Sequence, residues 1–249
     1  MMNNEISPLQ MSKQALRNVN LSYASSILED HIRIAEREKH TYAQFIKAIL
    51  DDELAHRRQR RIKERLRQSR IPVKKTIDSF DFSFPSGINK QLILSLFDFS
   101  FIREKKNVIL IGPPGVGKSH ISSALVFQAC LNDYKCRFIT AMNLISELNA
   151  SLSENTFISC LKRYSAFDLL IIDELGYIPA EKQGAPLLVP VISHRSDAGS
   201  VVITTNRPCE ERGPGWKGDA TRAGAILARL VPHGLIIQIA GQRYRVGKD

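Results

Sequence analysis

Apolar residues recur at three- and four-residue steps in the first part of the chain and gather into short unbroken runs in the rest. Leu21, Ala24, Ile27, Leu28, Ile32 and Ala35 make one stripe of a helix. Thr41 with Gln44 fits a capping box, and Tyr42, Phe45, Ile46, Ile49 and Leu50 form the expected buried face of the next helix. In residues 56–70 only Ile62 and Leu66, one turn apart, are apolar and large enough to bury anything, so this stretch is a wet helix or one that lies on something negative. Ile71-Pro72 ends the helical region, because proline disfavours helix in the residue before it. Beyond it, the runs Asn107–Ile111, Arg137–Thr140, Asp168–Ile172, Ser200–Thr204 and Leu235–Ile239 alternate with helical stretches. Strands alternating with helices predict a parallel sheet covered on both faces. The expected organisation is a helical module over 1–70, a linker over 71–89 punctuated by Phe80, Phe82 and Phe84, and an α/β domain over 90–249.

Composition narrows the class. At 249 residues, 43% hydrophobic and 24% charged, the chain is ordinary globular protein, which excludes disorder and disulfide scaffolds. No apolar run approaches the roughly 18–20 residues of a membrane span, and no secretory signal is visible. Cys130, Cys136, Cys160 and Cys209 show no metal-ligand spacing and read as reduced thiols of a cytoplasmic protein. The six histidines, His31, His40, His56, His120, His194 and His233, form no ligand spacing either.

Charge changes the picture further. The chain carries 35 basic and 25 acidic side chains, and most of the +10 excess lies in the first 75 residues. The segment HRRQRRIKERLRQSR (residues 56–70) holds eight Lys/Arg against one Glu. Such density suits a polyanion. At three- and four-residue spacing, Arg57, Arg61 and Arg65 share one face, and Arg60, Lys63 and Arg67 share another, with Arg58 beside them. These ridges suit phosphate contacts along a duplex, without base reading. No aromatic residue interleaves them, which argues against stacking on single strands.

The strongest chemical signal is Gly112-Pro113-Pro114-Gly115-Val116-Gly117-Lys118-Ser119, followed by His120. It follows the run VILI and precedes a helical stretch, the context a phosphate-binding loop requires. Glycines let backbone amides face phosphate oxygens, and the helix N-terminus adds partial positive charge. Lys118 reaches the β- and γ-phosphates of ATP and the Ser119 hydroxyl ligates Mg²⁺. Next, Asp168-Leu-Leu-Ile-Ile-Asp173-Glu174 is an apolar strand ending in two acids, 55 residues after Lys118. Asp173 is expected beside the magnesium, and Glu174 is expected to orient and deprotonate the attacking water. Third, Val201-Val-Ile-Thr-Thr205-Asn206 is another apolar strand, ending in an amide that suits a sensor of the γ-phosphate. All three lie at C-terminal strand ends, the edge where open α/β sheets bind ligands.

GPPGVGKSH, then LLIIDELGYIP, then ITTNRP, resembles the AAA+ ATPases, and more narrowly the IstB-type transposition helpers and their DnaC-like helicase-loader relatives. The resemblance covers most of the chain. It implies an AAA+ P-loop ATPase fold with a five-stranded parallel sheet, preceded by a small all-helical domain. It also implies ATP hydrolysis with Mg²⁺, and homo-oligomers with ATP at the subunit interfaces. The implied partners are duplex DNA and a transposase, with no membrane. An arginine finger from a neighbouring subunit falls on Arg229, with Arg222 competing. Lys162 and Arg163 are similar in location to a DNA-facing element of initiator- and loader-type relatives. Two departures stand out: Ala228-Arg229-Leu230 lacks the acid that commonly precedes the arginine, and little follows the fifth strand, leaving only Arg243 and Arg245 for a second arginine sensor. Two alternatives stay open, a DnaC-like helicase loader and a DNA-binding scaffold that keeps ATP as a structural ligand.

Overall fold

The computed structural model describes residues 7–84, 87–175, 185–195, 197–206 and 234–241. Arg229, Arg222, Trp216, Cys209, His233, Arg243 and Arg245 lie outside the described residues. The chain divides into two compact units, Met1–Lys63 and Glu64–Asp249.

The first unit is helical. Helix α1 (Pro8–Asn18) starts with proline behind the Ser7 cap, and α2 (Ser22–Glu38) ends at Lys39 in the left-handed region. Helix α3 (Tyr42–Ser69) opens with the expected capping box: the Gln44 amide donates to Thr41 Oγ1 at 3.3 Å, and the Thr41 amide donates to Gln44 Oε1 at 2.8 Å. Ala24, Leu28 and Ile49 form the buried centre, with Leu9, Leu16, Leu21, Ile27, Ile32 and Phe45 around it. The expected face of α3 is therefore only half right. Phe45 and Ile49 point inward, while Tyr42, Ile46 and Leu50 are exposed. The inward face is instead completed by Glu53, a buried acid. Its carboxylate accepts from the Ala24 amide at 2.7 Å, inside the otherwise uncapped first turn of α2, and from Arg57 Nε at 2.7 Å. A helix N-terminus attracts a carboxylate because its first amides lack partners.

In the second unit, short helices α4 (Lys90–Ser95) and α5 (Ser100–Arg103) lead to β1 (Asn107–Ile111), followed by α6 (Lys118–Leu131) and β2 (Cys136–Thr140). Helices α7 (Ala141–Ser153) and α8 (Phe157–Ser165) precede β3 (Leu169–Asp173). Helix α9 (Ala185–Arg195), β4 (Ser200–Thr205) and β5 (Gly234–Gln238) complete the described elements. The strands form one parallel sheet in the order β2-β3-β4-β1-β5. Each of the five expected runs is a strand, the first with the expected ends and the others with one or both ends shifted by a residue.

Unbroken apolar runs reflect burial on both faces. Alternate residues feed opposite layers: Val108, Leu110, Leu169 and Ile171 pack with Ile121, Leu125 and Phe138, whereas Ile109, Ile111, Leu170 and Ile172 pack with Leu144, Leu148 and Val191. Leu66 and Ile71 join the first of these layers, and Phe80 is buried in it. The stretch 71–89, expected as a linker, thus packs against this layer in part, through Ile71, Ile77, Phe80 and Phe82. Arg195 is fully buried at the opposite edge of the sheet and donates to the carbonyls of Tyr164, Phe167 and Ser200, the latter two at 2.8 and 2.9 Å. Burial lowers its guanidinium to about 10, against the partial support of Asp168 and Cys136. No helix among the described residues is long and apolar enough to cross a membrane.

Candidate nucleotide-binding site

Strand β1 lies between β4 and β5, so the loop that follows it leaves the sheet beside the ends of both. The Gly112 amide donates to Thr205 O at 3.1 Å, and a Cβ on Gly112 would stand 2.2 Å from Ile239 O, so no side chain fits there. Gly115 and Gly117 have φ of 86° and 97°, the left-handed turn that glycine adopts without strain. Gly117 is the N-cap of α6 and supplies no side-chain cap. The first amides of α6 are therefore left for an anion, unlike those of α7, where Thr140 Oγ1 accepts from the Asn143 amide.

Lys118 is half-buried and its ammonium donates to Gly112 O at 2.6 Å and Pro113 O at 2.8 Å. Burial lowers its pKa below the usual 10.5, partly opposed by the charges of Asp173 and Glu174. It is a cation held over its own loop, within reach of phosphate.

Both acids stand at the C-terminal end of β3, with one contributor that sequence reasoning missed. Asp173 is buried at the end of β3, where Oδ1 accepts from Ser119 Oγ at 3.2 Å and from Thr204 Oγ1. Thr204 Oγ1 in turn accepts the Glu174 amide at 2.9 Å. One hydroxyl on β4 thus holds both acids. Glu174 has φ of 62°, is exposed, and lines the same cavity as Lys118. A left-handed conformation at a non-glycine residue costs energy and persists only where neighbours hold it. Asn206 follows β4, and its buried Oδ1 has no partner among the described residues. A buried amide oxygen without a partner calls for a donor.

The cavity of about 910 Å³ has two ends. The loop, Lys118, Ser119, Glu174 and Asn206 supply the polar one, while Pro72, Val73, Phe80 and Phe84 supply apolar walls. Sequence reasoning had read these aromatics as linker punctuation. Phe80 packs edge-on against His120, ring centroids 5.3 Å apart, and sits where any Cβ on Gly117 would go. His120, expected among the nucleotide contacts, lines the cavity, donates from Nε2 to Thr76 O at 3.0 Å and lies 3.3 Å from Ser79 Oγ. Among the described residues no cluster of three His, Cys, Asp or Glu could hold a metal ion. The hard oxygens of Ser119 and Asp173 suit magnesium, which asks for few protein ligands and keeps water on the rest.

The basic residues differ in their surroundings. Arg57 is tied to Glu53 and to the Asn20 carbonyl, Arg65 to Asp133 at 2.5 Å, and Arg67 to Glu64 at 2.5 Å. Arg58, Arg60, Arg61 and Lys63 are exposed on α3. On α8, Lys162 is exposed and Arg163 pairs with Glu147 at 2.8 Å, an acid that also meets Arg137 and Arg70.

A phosphate loop, a paired-acid strand end and a strand-end asparagine on a β2-β3-β4-β1-β5 parallel sheet define a P-loop protein of the AAA+ class. Solved structures agree. The crystal structure of the DnaC helicase loader superposes with a TM-score of 0.53 at 22% identity, covering 66% of this chain and 96% of that one. AMPPCP-bound DnaA from Aquifex aeolicus gives 0.56 at 14% identity, covering 68% and 51%. Residues 14–249 match the model of the family described as IstB-like ATP binding protein, and the chain belongs to that family. A relative from Pseudomonas aeruginosa, the insertion sequence IS21 putative ATP-binding protein, is 34% identical over 96% of this chain and 88% of its own length. One from Geobacillus stearothermophilus, the insertion sequence IS5376 putative ATP-binding protein, is 33% identical over 83% and 82%.

Proposed function

We propose that this protein hydrolyses ATP and uses the cycle to assemble on duplex target DNA and license a partner transposase. The observation that carries hydrolysis is the hydroxyl of Thr204, which fixes Asp173 and Glu174 together at the mouth of the phosphate loop. A protein that merely held ATP needs the loop; it does not need an exposed carboxylate in a strained conformation beside it. Transposition is supported by the insertion-sequence names of the relatives, and duplex DNA by the exposed cations of α3.

In this reading the base lies between the apolar walls and the phosphates lie on the α6 N-terminus. Lys118 moves from its own loop carbonyls onto the β- and γ-phosphates, exchanging two neutral acceptors for charged ones. Asn206 donates its amide N–H to the γ-phosphate, and its Oδ1, without a partner among the described residues, accepts from the lytic water. Glu174 accepts a proton from that water, aligned behind the phosphorus. Ser119 and Asp173 would hold magnesium, which when bound neutralises charge building on the phosphate oxygens. Arg229, supplied by a neighbouring subunit, is the proposed finger, so turnover requires assembly.

Two measurements test this. Glu174→Gln should lower ATP turnover at least 100-fold and leave ATP binding within a few-fold; unchanged turnover refutes the catalytic assignment and favours the scaffold. Particle mass on matched duplex and single-stranded DNA, with ATP and with ADP, should show large ATP-dependent complexes on duplex. A preference for single strands would point to a helicase loader.

A further inference from the structure

The first turn of α6 faces two ways. Its amides are left for an anion, while its third residue, His120, reaches out of the helix to a segment more than forty residues earlier in the chain. A side chain at this third position is placed to return to the cap of its own helix. His120 Nε2 instead lies 3.0 Å from Thr76 O and 3.3 Å from Ser79 Oγ. A carbonyl oxygen only accepts, so Nε2 carries the proton and the imidazole is the donor. The Ser79 hydroxyl donates to the same carbonyl at 2.8 Å, and the Phe80 amide donates to Ile77 O at 3.0 Å. Residues 76–80 are thus a closed turn tied to α6 at one carbonyl.

That turn carries the apolar end of the cavity. Ser79, Phe80, Asp81 and Phe84 line it together with Pro72 and Val73, and none of residues 72–84 belongs to a helix or strand. A wall without ladder or helical hydrogen bonds is either held by side chains or ordered anew each time a ligand arrives, at a cost in affinity. Phe80 supplies one hold. It is buried, meets the His120 ring edge-on with centroids 5.3 Å apart, and occupies the place of a Cβ on Gly117. His120 supplies the polar hold. One helical turn therefore fixes both the phosphate end of the cavity and the wall at its other end.

We infer that His120 is a positioning residue for the nucleobase: its Nε2–H, given to Thr76 O, latches the aromatic wall to the phosphate-binding turn. The inference rests on the proposed reading in which the base lies between these walls. In this role His120 acts through Thr76 and Phe80, and the latch is felt only by a ligand that has a base. Phosphates alone need the loop and the α6 amides, which the latch leaves in place.

The test is calorimetric binding of ATP and of inorganic tripolyphosphate, each with magnesium, to the full chain and two variants. Tripolyphosphate has the phosphates without the base, so it reports the loop and shows that α6 is folded. Wild type should bind ATP the more tightly. His120→Phe keeps a ring against Phe80 and removes the donor. It should weaken ATP about five- to tenfold, the worth of one hydrogen bond, and leave tripolyphosphate within about twofold. His120→Gln returns an N–H at similar reach and should recover most of the ATP affinity. His120 is only part-buried, so neither substitution empties the core. Equal weakening of both ligands by His120→Phe overturns the proposal and makes His120 a support of the loop. Unchanged affinity for both overturns it as well. A glutamine variant no better than the phenylalanine one shows that ring shape holds the wall and refutes the latch. Wild type that binds both ligands alike refutes the base wall itself, whereas wild type that binds neither refutes the nucleotide reading as a whole.

Discussion

Thr204 and Asp173, on neighbouring strands, share a hydrogen bond in which the threonine hydroxyl donates, and the same oxygen accepts the amide of Glu174. Thr204, which also lines the cavity, thus ties together the two acids of the candidate site. Thr204→Val keeps the shape and removes both bonds. It should lower the turnover number by 10–100-fold with a small change in KM, and cost about 1–3 kcal/mol of stability. Thr204→Ser should recover most of the rate, since it restores the hydroxyl. If Thr204→Val lowers stability but leaves turnover intact, Thr204 is structural only.

Lys118 supplies a pH signature. Burial holds its pKa below 10.5, so the folded protein binds this proton more weakly than the unfolded chain does. Stability from this group consequently rises as pH climbs toward 10.5. Nucleotide binding reverses the sign, because phosphate charge raises the lysine pKa. ATP binding in the alkaline range should therefore take up protons and weaken as pH rises, as measured by calorimetry in buffers of different ionisation enthalpy. Proton release in that range would contradict the assignment.

Glu53 gives the helical module its acid limit. Burial raises its pKa, but donation from the Ala24 amide and Arg57, with a further contribution from the Tyr23 amide, outweighs burial and holds it below the usual 4.5. A lowered carboxylate contributes stability above 4.5 that is lost as pH falls through the folded value. Glu53→Gln should lower the thermal midpoint at pH 7 and flatten the loss between about pH 4.5 and pH 3. An unchanged acid limb would show that another carboxylate sets it.

The cations of α3 separate into two groups by experiment. Arg58→Ala, Arg60→Ala and Lys63→Ala should each weaken duplex binding on every sequence alike. Each should also reduce the slope of log affinity against log salt by about 0.9. Arg57→Ala should instead act mainly through stability, because it leaves the buried Glu53 without its guanidinium partner. Equal effects of all four on affinity alone would show that Arg57 leaves Glu53 when DNA binds.

The sheet was legible because burial on both faces writes each strand as an unbroken apolar run, and the phosphate loop because its glycine spacing is dictated by φ and by close approach. The helical module was legible as a stripe, but not in which residues face inward: Tyr42, Ile46 and Leu50 have the spacing of a buried face and lie outside it. The burial of Glu53 leaves no sign in the sequence, since its partner, the Ala24 amide, lies on another helix and leaves no local pattern. Thr204 was hidden for a different reason. Threonine is common in strands, and nothing in VVITTN distinguishes a hydroxyl that carries two hydrogen bonds from one that fills a pleat. The aromatic segment 76–84 has no period at all, because its contacts are made one ring at a time with His120 and Gly117.

The position of β5 carries one more consequence, for the timing of synthesis. It pairs with β1 along Asn107–Ile111, and Ile239 donates its amide to Ile111 O at 2.7 Å, just before the phosphate loop. The strand that presents the loop thus waits for a partner made more than a hundred residues later on the ribosome. Until then β1 is an open edge, able to pair with any other nascent strand.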